Sequence, residues 1–496
     1  MKDLKPVAFT RRRFLATAAA LVPATALAGA PETAPRPARR PLRDPAIAAR
    51  PALDPRLSGQ TGYALYDLEA GKIVEALAPD TAFVPASVSK IPTALYALDS
   101  LGADYRFTTR LLTTGSIVGG TLQGDLILVG GGDPTLDTDD LAELAAALRG
   151  AGIRRIAGRF LADGSALPAI AEIMPGQPVQ AAYNPSVSGL NCNFNRVFLE
   201  WKPVKGGREI VLEARALRHS PAVSHVTVAT AARRSPVFTW TARGGRELWT
   251  VAEPALRRKG GRWLPVRDSV AYTGDVFRQL AADLGIVLPQ PQVVRAAAGR
   301  EIARISSDPL QRILRQMLRY STNLTAEAVG LAASRQRGLV SVSLTGSAAA
   351  MSEWLRDYAG LTGKFRFANH SGLTGKTRIS PAQTVQLLAA AERRGGGQLR
   401  GLLKKIHLPA EGKSRQPLAG VVAKTGTLAF VRGLAGYLDG PNGKPYAFAI
   451  YADDLEARGE AELRRERPRG SRRWLSHAKA QEIAILQSWA RRYAGA

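Results

Sequence analysis

The chain of 496 residues is too long for one compact core and predicts two or three domains. Its apolar content of 45% is that of a globular protein, and no stretch after residue 30 approaches the roughly 20 apolar residues that cross a bilayer. The single cysteine excludes an intrachain disulfide. The net charge of +27 indicates either anionic partners, such as cell-wall polymer or a membrane surface, or an Arg-rich composition that only gives a solvated basic surface.

The first 28 residues are predicted to be an export signal. Arginines 11–13 precede a short Ala-rich core, and the small residues Ala26 and Ala28 are typical of a cleavage site. The arginine run is similar to a twin-arginine signal, and a general secretory signal is the alternative. Residues 29–57, rich in Pro, Ala and Arg, are predicted to form a poorly ordered leader. The pattern predicts a bacterial protein exported to the periplasm, with no nucleic-acid partner and at most peripheral membrane contact.

The hydrophobic pattern predicts an α/β (α+β) chain. Two short strands flank a turn at Glu69-Ala70-Gly71, and a helix is expected to begin near Ser87, with Pro92 awkwardly close to its start. Up to residue 285 the chain alternates short strands with helical periods only at 139–151 and after 269. The later predicted helices are 309–320, 323–337, 345–358, 381–394 and 474–494, and the later strands are "AGVVAKTG", "VRGLAGYLDG" and "PYAFAIYADD".

Ser87 and Lys90 lie one helical turn apart at the start of the first predicted helix. A serine hydroxyl is a weak nucleophile until a base takes its proton, and a lysine becomes such a base when its pKa is lowered. The spacing alone is weak evidence, because Ser476 and Lys479 repeat it. Other motifs must therefore support the interpretation.

Two further motifs follow in the chain. Ser321-Thr322-Asn323 lies between predicted helices, and Lys424-Thr425-Gly426-Thr427 lies on a predicted strand. Ser-x-x-Lys, Ser-x-Asn and Lys-Thr-Gly in this order resemble the signature set of penicillin-binding proteins and serine β-lactamases. The resemblance implies catalysis through a covalent acyl-enzyme.

The catalytic roles that this chemistry predicts belong to Ser87, Lys90 and Ser321. Ser87 attacks the substrate carbonyl, Lys90 accepts its proton, and Ser321 passes a proton to the leaving amine. Backbone N–H groups of Ser87 and Thr427 are expected to hold the oxyanion.

The substrate-binding residues are expected to be Asn323, Lys424, Thr425, Gly426 and Thr427. Asn323 holds the substrate backbone and Lys90, whereas Lys424 and Thr425 bind the terminal carboxylate of the peptide. Lys424 also supplies a second cation that lowers the pKa of Lys90. Gly426 is expected to leave room for the substrate along the strand.

Longer stretches resemble one branch of this superfamily, the class C D-alanyl-D-alanine carboxypeptidase/endopeptidases of the penicillin-binding protein 4 type. They are "GDLILVGGGDPTL", "YNPSVSGLNCNFNRV", "STNLTAEAV", "HSGLTGKTRISP" and "KTGTLAFVRGLAGY". The interval between the first and second motifs matches the extra domains of that family. The resemblance implies a β-lactamase/transpeptidase-like domain, an antiparallel sheet flanked by helices, from residues 58–105 and 286–496, with a β-rich insert at 106–285.

The activity implied by the resemblance is hydrolysis of the terminal D-Ala of peptidoglycan peptides through an acyl-enzyme on Ser87 that β-lactams trap. A serine β-lactamase and a non-catalytic peptidoglycan-binding protein are the alternatives, and carboxypeptidase or endopeptidase preference stays open, as does the oligomeric state. No cofactor or metal is expected, because the five His residues show no ligand spacing. Cys192 has no His nearby in the sequence and is predicted to be a buried apolar residue.

One segment departs from the family pattern. Asn369-His370 replaces the Asp-Gly that many relatives carry before Ser-Gly-Leu. The segment is expected to border the active site. His370 is predicted to be an exposed loop residue, and a contact behind the residues that bind substrate is the alternative. The catalytic assignment stands, but the substrate preference is in doubt.

Overall fold

The structure, a computed structural model, describes residues 52–339, 343–406, 420–440, 443–460, 465 and 468–493. The predicted signal, and the predicted leader up to residue 51, lie outside the described residues. The strands are β1 (Gln60–Asp67), β2 (Lys72–Leu77), β3 (Thr108–Thr113), β4 (Ile117–Val118), β5 (Thr121–Leu122), β6 (Leu126–Val129), β7 (Arg155–Ile156), β8 (Phe160–Asp163), β9 (Arg196–Val204), β10 (Gly207–Glu213), β11 (Val226–Ala231), β12 (Phe238–Arg243), β13 (Arg246–Ala252), β14 (Gly260–Pro265), β15 (Gln292–Val294), β16 (Arg300–Ser306), β17 (Lys404–Lys405), β18 (Val421–Leu428), β19 (Val431–Asp439) and β20 (Pro445–Asp453).

The α-helices are α1 (Lys90–Leu101), α2 (Thr138–Gly150), α3 (Ser269–Asp283), α4 (Leu310–Tyr320), α5 (Asn323–Gln336), α6 (Leu344–Ala359), α7 (Pro381–Gly395), α8 (Gln398–Leu402), α9 (Leu455–Glu460) and α10 (Ser471–Tyr493). The longer helices confirm the predicted helices, with ends that shift by a few residues. The short helices α8 and α9 have no counterpart among the predictions, since five or six residues carry too little periodicity. None of the helices described is long and apolar enough to span a bilayer.

A six-stranded antiparallel sheet, in the order β17-β18-β19-β20-β1-β2, forms the body that carries the motifs. Strand β1 pairs along its whole length with β20, so the first and last strands of the described chain are neighbours in one sheet. Alternate residues of β1 face opposite sides, as the period of two requires. Tyr63 and Leu65 pack with Trp489 of α10, whereas Ala64 packs in the core that contains α1 and α5.

A second hydrophobic core lies among α2, α3 and several smaller sheets. The largest of these sheets has the order β15-β8-β6-β3-β16. Strand β16 is antiparallel to β3, and β15 is parallel to β8. Both β15 and β16 follow residue 285, the predicted end of the insert, and pair with strands inside it. We therefore propose that the insert extends from about residue 106 to Ser306.

Candidate active site

Ser87 lies in a 3₁₀ turn, Ala86–Ser89, that leads directly into α1. Helix α1 begins at Lys90, three residues later than the predicted start at Ser87. Pro92 is therefore in the first helical turn, where backbone N–H groups have no intrahelical acceptor, and its missing N–H costs nothing. Ala86, with φ of 48°, holds the left-handed conformation immediately before Ser87. Such strain persists only where the surroundings enforce it, as at a site that orients a side chain.

The Lys90 side chain is fully buried and makes three polar contacts. Its Nζ lies 3.0 Å from Ser87 Oγ, 2.8 Å from Asn323 Oδ1 and 2.6 Å from the carbonyl oxygen of Ser371. Burial and the nearby Lys424 lower the pKa of Lys90 well below its usual value, as predicted. A neutral amine beside the hydroxyl of Ser87 is the state that a proton acceptor requires.

The neighbours of Lys90 also direct its lone pair. Asn323 donates from Nδ2 to the carbonyl of Tyr183 at 2.9 Å, so its Oδ1 is the atom turned to Lys90. That oxygen and the Ser371 carbonyl are acceptors only, and a neutral amine has two N–H donors. Both donors are used on these acceptors, and the remaining lone pair faces Ser87 Oγ.

Lys424 and Ser321 form the second polar pair of the site. Lys424 Nζ donates to Ser321 Oγ at 3.0 Å and to the carbonyl of Thr425 at 2.7 Å. Burial, together with Arg432 and Lys404, lowers the pKa of Lys424 to about 7. Ser321 has a φ of 60° and links α4 to α5, which places its hydroxyl beside Lys424 and Asn323 at the start of α5.

The Lys-Thr-Gly motif lies on β18, next to the nucleophile segment. On this edge of β18, β17 pairs only with Val422 and Ala423, and no other strand of the described residues pairs with it from Lys424 onward. A Cβ on Gly426 would lie 2.3 Å from the carbonyl oxygen of Pro85 and 3.2 Å from Ser87 N. Glycine at this position therefore lets the strand approach the Ser87 turn, in addition to any room that it leaves for a substrate.

Ser87, Ser321, Asn323 and Thr427 line one cleft of about 750 Å³. Part of its wall comes from the predicted insert, through residues 174–177 and Tyr183. Among the described residues, its lining also includes no carboxylate and four cations, which are Lys376, Arg458, Arg465 and Arg472. The cleft thus brings the three sequence motifs together in surroundings that favour an anionic ligand.

His370 is buried, so the prediction that it is an exposed loop residue was wrong. Its ring stacks on Tyr96 with centroids 6.3 Å apart, and its Nε2 lies 2.7 Å from Ser347 Oγ. Burial lowers the pKa of His370 to about 3, so the ring is neutral at physiological pH. The glycine Gly330 on α5 provides the space, since a Cβ there would lie 2.3 Å from the imidazole.

Replacing Gly330 by alanine is expected to destabilise the protein by about 1–3 kcal/mol, because the new methyl group overlaps a ring that is packed on every side. Denaturant unfolding measures this change. His370→Gly removes the overlapping ring and is itself destabilising, because the ring is buried and hydrogen-bonded. Gly330→Ala should therefore cost less in the H370G background than in the wild type, and an equal cost in both backgrounds would contradict the proposed overlap.

Sequence reasoning missed three groups of the site: the Tyr183 carbonyl, the Ser371 carbonyl and the Glu327 carboxylate. A backbone carbonyl leaves no mark in the side-chain pattern, so the first two had no usable signal. Glu327 did carry a signal in the sequence, because it is the only acidic residue in the apolar α5 sequence "NLTAEAVGLAASRQ". Cys192 is fully buried as predicted, and burial raises the pKa of its thiol.

The chain is similar to known proteins over most of its length. Residues 46–470 match the D-Ala-D-Ala carboxypeptidase 3 (S13) family. A D-alanyl-D-alanine carboxypeptidase of Actinomadura sp. (strain R39) is 27% identical over 452 residues, which cover 82% of this chain and 79% of that protein. DacB of Haemophilus influenzae is 24% identical over 432 residues, covering 80% of this chain and 87% of the relative.

Solved structures share the fold. Penicillin binding protein 4 of Haemophilus influenzae superposes with a TM-score of 0.69 at 22% identity, covering 86% of this chain and 96% of that one. The transpeptidase-like fold with a β-rich insert, expected from the motifs, is thereby confirmed.

Proposed function

This chain belongs to the D-Ala-D-Ala carboxypeptidase 3 (S13) family, and on that premise we propose that it hydrolyses the terminal D-Ala–D-Ala bond of peptidoglycan peptides through an acyl-enzyme on Ser87. The observation that carries the assignment of residues is the position of Ser87 Oγ, 3.0 Å from the buried Nζ of Lys90. Export to the periplasm, where this substrate is found, is part of the proposal.

Acylation begins when Lys90 takes the proton of Ser87 and Oγ attacks the carbonyl carbon of the penultimate D-Ala. The tetrahedral oxyanion is held by the N–H groups of Ser87 and Thr427, both of which line the cleft. The terminal carboxylate pairs with Lys424 and the hydroxyl groups of Thr425 and Thr427. Arg432 supports this end of the site, since its Nη1 donates to Thr427 Oγ1 at 3.0 Å.

Departure of D-Ala needs a proton on its amine nitrogen. Ser321 Oγ is in position to give it, because it accepts a hydrogen bond from Lys424 and borders the same cleft. The proton that Lys90 took from Ser87 replaces the one that Ser321 gives, so Lys90 is neutral again after this step. The C–N bond then breaks, D-Ala leaves with its terminal carboxylate, and the acyl group remains on Ser87. A water molecule then loses a proton to Lys90 and attacks the acyl carbonyl carbon. The ester bond to Ser87 Oγ breaks, and Oγ takes the proton back from Lys90, which restores the free enzyme.

The same steps predict that β-lactams acylate Ser87. In support, penicillin binding protein 4 of Haemophilus influenzae was solved in complex with a β-lactam, and its fold superposes on this chain with a TM-score of 0.66. Purified protein should bind fluorescent penicillin covalently and release D-Ala from a muropeptide pentapeptide. Protein that does neither would overturn the proposal, and an adduct that turns over within seconds would indicate a β-lactamase instead.

The cationic lining predicts a preference for substrates that carry carboxylates beyond the terminal one. Replacing both Lys376 and Arg472, which are exposed in the cleft, by alanine should raise KM about three- to tenfold and leave kcat unchanged, because exposed pairs contribute about 1 kcal/mol or less each. The increase should shrink in high salt. Arg473→Ala is the matched control, since Arg473 is exposed but does not line the cleft. An unchanged KM in the double variant would contradict this preference.

A further inference from the structure

Glu327 is a fully buried carboxylate that the steps above do not use. It lies on α5 one turn after Asn323, so both side chains are on the same helix face. Its Oε1 accepts the backbone N–H of Ser371 at 2.8 Å, and its Oε2 accepts that of His370 at 3.0 Å. A buried carboxylate that receives two successive backbone N–H groups fixes the position of that backbone.

The backbone that Glu327 fixes is the one that holds Lys90. The carbonyl of Ser371 accepts from Lys90 Nζ at 2.6 Å, the shortest of its three contacts. Thr93 of α1 also donates to the carbonyl of His370, at 2.9 Å. On the other side of this segment, a Cβ on Gly372 would lie 1.8 Å from the carbonyl oxygen of Ala86, so the segment also packs against the nucleophile turn.

We propose that Glu327 is a positioning residue for acylation. It holds the 370–371 backbone so that the Ser371 carbonyl accepts one N–H of Lys90, and the lone pair of the Lys90 amine stays directed at Ser87. The role rests on the proposed function, in which Lys90 is the base. Asn323 takes the second N–H, so one helix, α5, controls both acceptors: Asn323 directly and Ser371 through Glu327.

The charge of Glu327 also acts on the pKa of Lys90, which a residue with a purely structural role would not do. Among the described residues, the charged or titratable groups that face Lys90 are Lys424 from β18 and Glu327 from α5, with His370 behind the backbone segment. Lys424 lowers the pKa of Lys90, and Glu327 raises it. His370, with a pKa of about 3, stays neutral in the range where acylation is measured.

The test compares acylation by penicillin in the full chain, wild type against Glu327→Gln. The amide keeps the size but loses one acceptor and the charge, so the acylation rate constant at saturating penicillin should fall about 10²-fold, as a small misplacement of a reacting group does. The dissociation constant of the non-covalent complex should not change. The acid limb of the pH–rate profile should move to lower pH, because the group that raises the pKa of Lys90 has been removed.

The matched control is Asp275→Asn on α3 of the insert. Asp275 is also buried and accepts two successive backbone N–H groups, those of Ser224 and His225. This variant should lose stability, yet keep the wild-type acylation rate and pH profile.

Glu327→Asp serves if the Gln variant does not fold. It keeps the charge but is one methylene shorter, so it should acylate more slowly with the acid limb at its wild-type pH. Wild-type acylation in both Glu327 variants, or in the Asp variant alone if the other is insoluble, would overturn the inference. Wild-type protein that is not acylated at all would instead overturn the proposed function.

Discussion

Ser87→Ala is expected to abolish both penicillin labelling and D-Ala release, with activity reduced by more than about 10⁴-fold. Without Oγ no acyl-enzyme forms, and the Lys90 amine, 3.0 Å away in the wild type, has no hydroxyl to deprotonate. Labelling by fluorescent penicillin and release of D-Ala from a muropeptide measure the two effects. The fold should be unaffected, because alanine fits wherever serine does.

The chain supplies its own control for this variant. Ser476 and Lys479 repeat the Ser-x-x-Lys spacing on α10, and both side chains are exposed. Ser476→Ala should label and release D-Ala at the wild-type rate. Labelling that persists in Ser87→Ala would mean that another residue is the nucleophile.

Lys424→Met is expected to lower kcat/KM for the peptide by about 10³-fold, because it removes the buried cation that pairs with the terminal carboxylate. The variant also deprives Ser321 of its donor. Steady-state kinetics with a pentapeptide measures the loss. The control is Lys405→Met on the exposed face of β17, which should leave kcat/KM unchanged. A comparable loss of kcat/KM in this control would show that the effect is not specific to the site.

The pH dependence of kcat/KM follows from the same two lysines. Lys90 must be neutral to accept a proton, so activity falls as the pH drops below its lowered pKa. Lys424 must be charged to bind the carboxylate, so affinity falls as the pH rises through about 7. The profile should therefore be bell-shaped.

In Lys424→Met the alkaline limb should vanish. The acid limb of single-turnover acylation should move to higher pH, since a cation that lowers the pKa of Lys90 is lost. A profile that is unchanged in the variant would contradict these assignments.

Much of the site could be predicted from the sequence because its chemistry is carried by side chains in short motifs. Ser87 and Lys90 are separated by one turn, and a spacing of three needs no tertiary information to place two groups on one face. The period-two pattern of the strands and the 3.6-residue period of the long helices likewise depend on local geometry alone. The order of the three motifs then indicated the superfamily, and longer stretches such as "KTGTLAFVRGLAGY" indicated the family within it.

Other features were decided only by tertiary contacts. The start of α1 at Lys90 made Pro92 harmless. The pairing of β16 with β3 is the basis for our proposal that the insert extends beyond residue 285. His370 was expected to be an exposed loop residue, but Gly330, forty residues earlier, provides the space that buries it.

The sequence by itself therefore determined the chemical groups, their local spacing and the family. The tertiary structure decided which of those groups are buried and which carbonyls surround them. The lowered pKa of Lys90 illustrates the division: burial and Lys424 both act on it through space, and the carbonyl of Ser371 is held in place by Glu327 on another element. Desolvation and Coulomb interactions depend on distances between atoms far apart in the chain, and no local pattern encodes them.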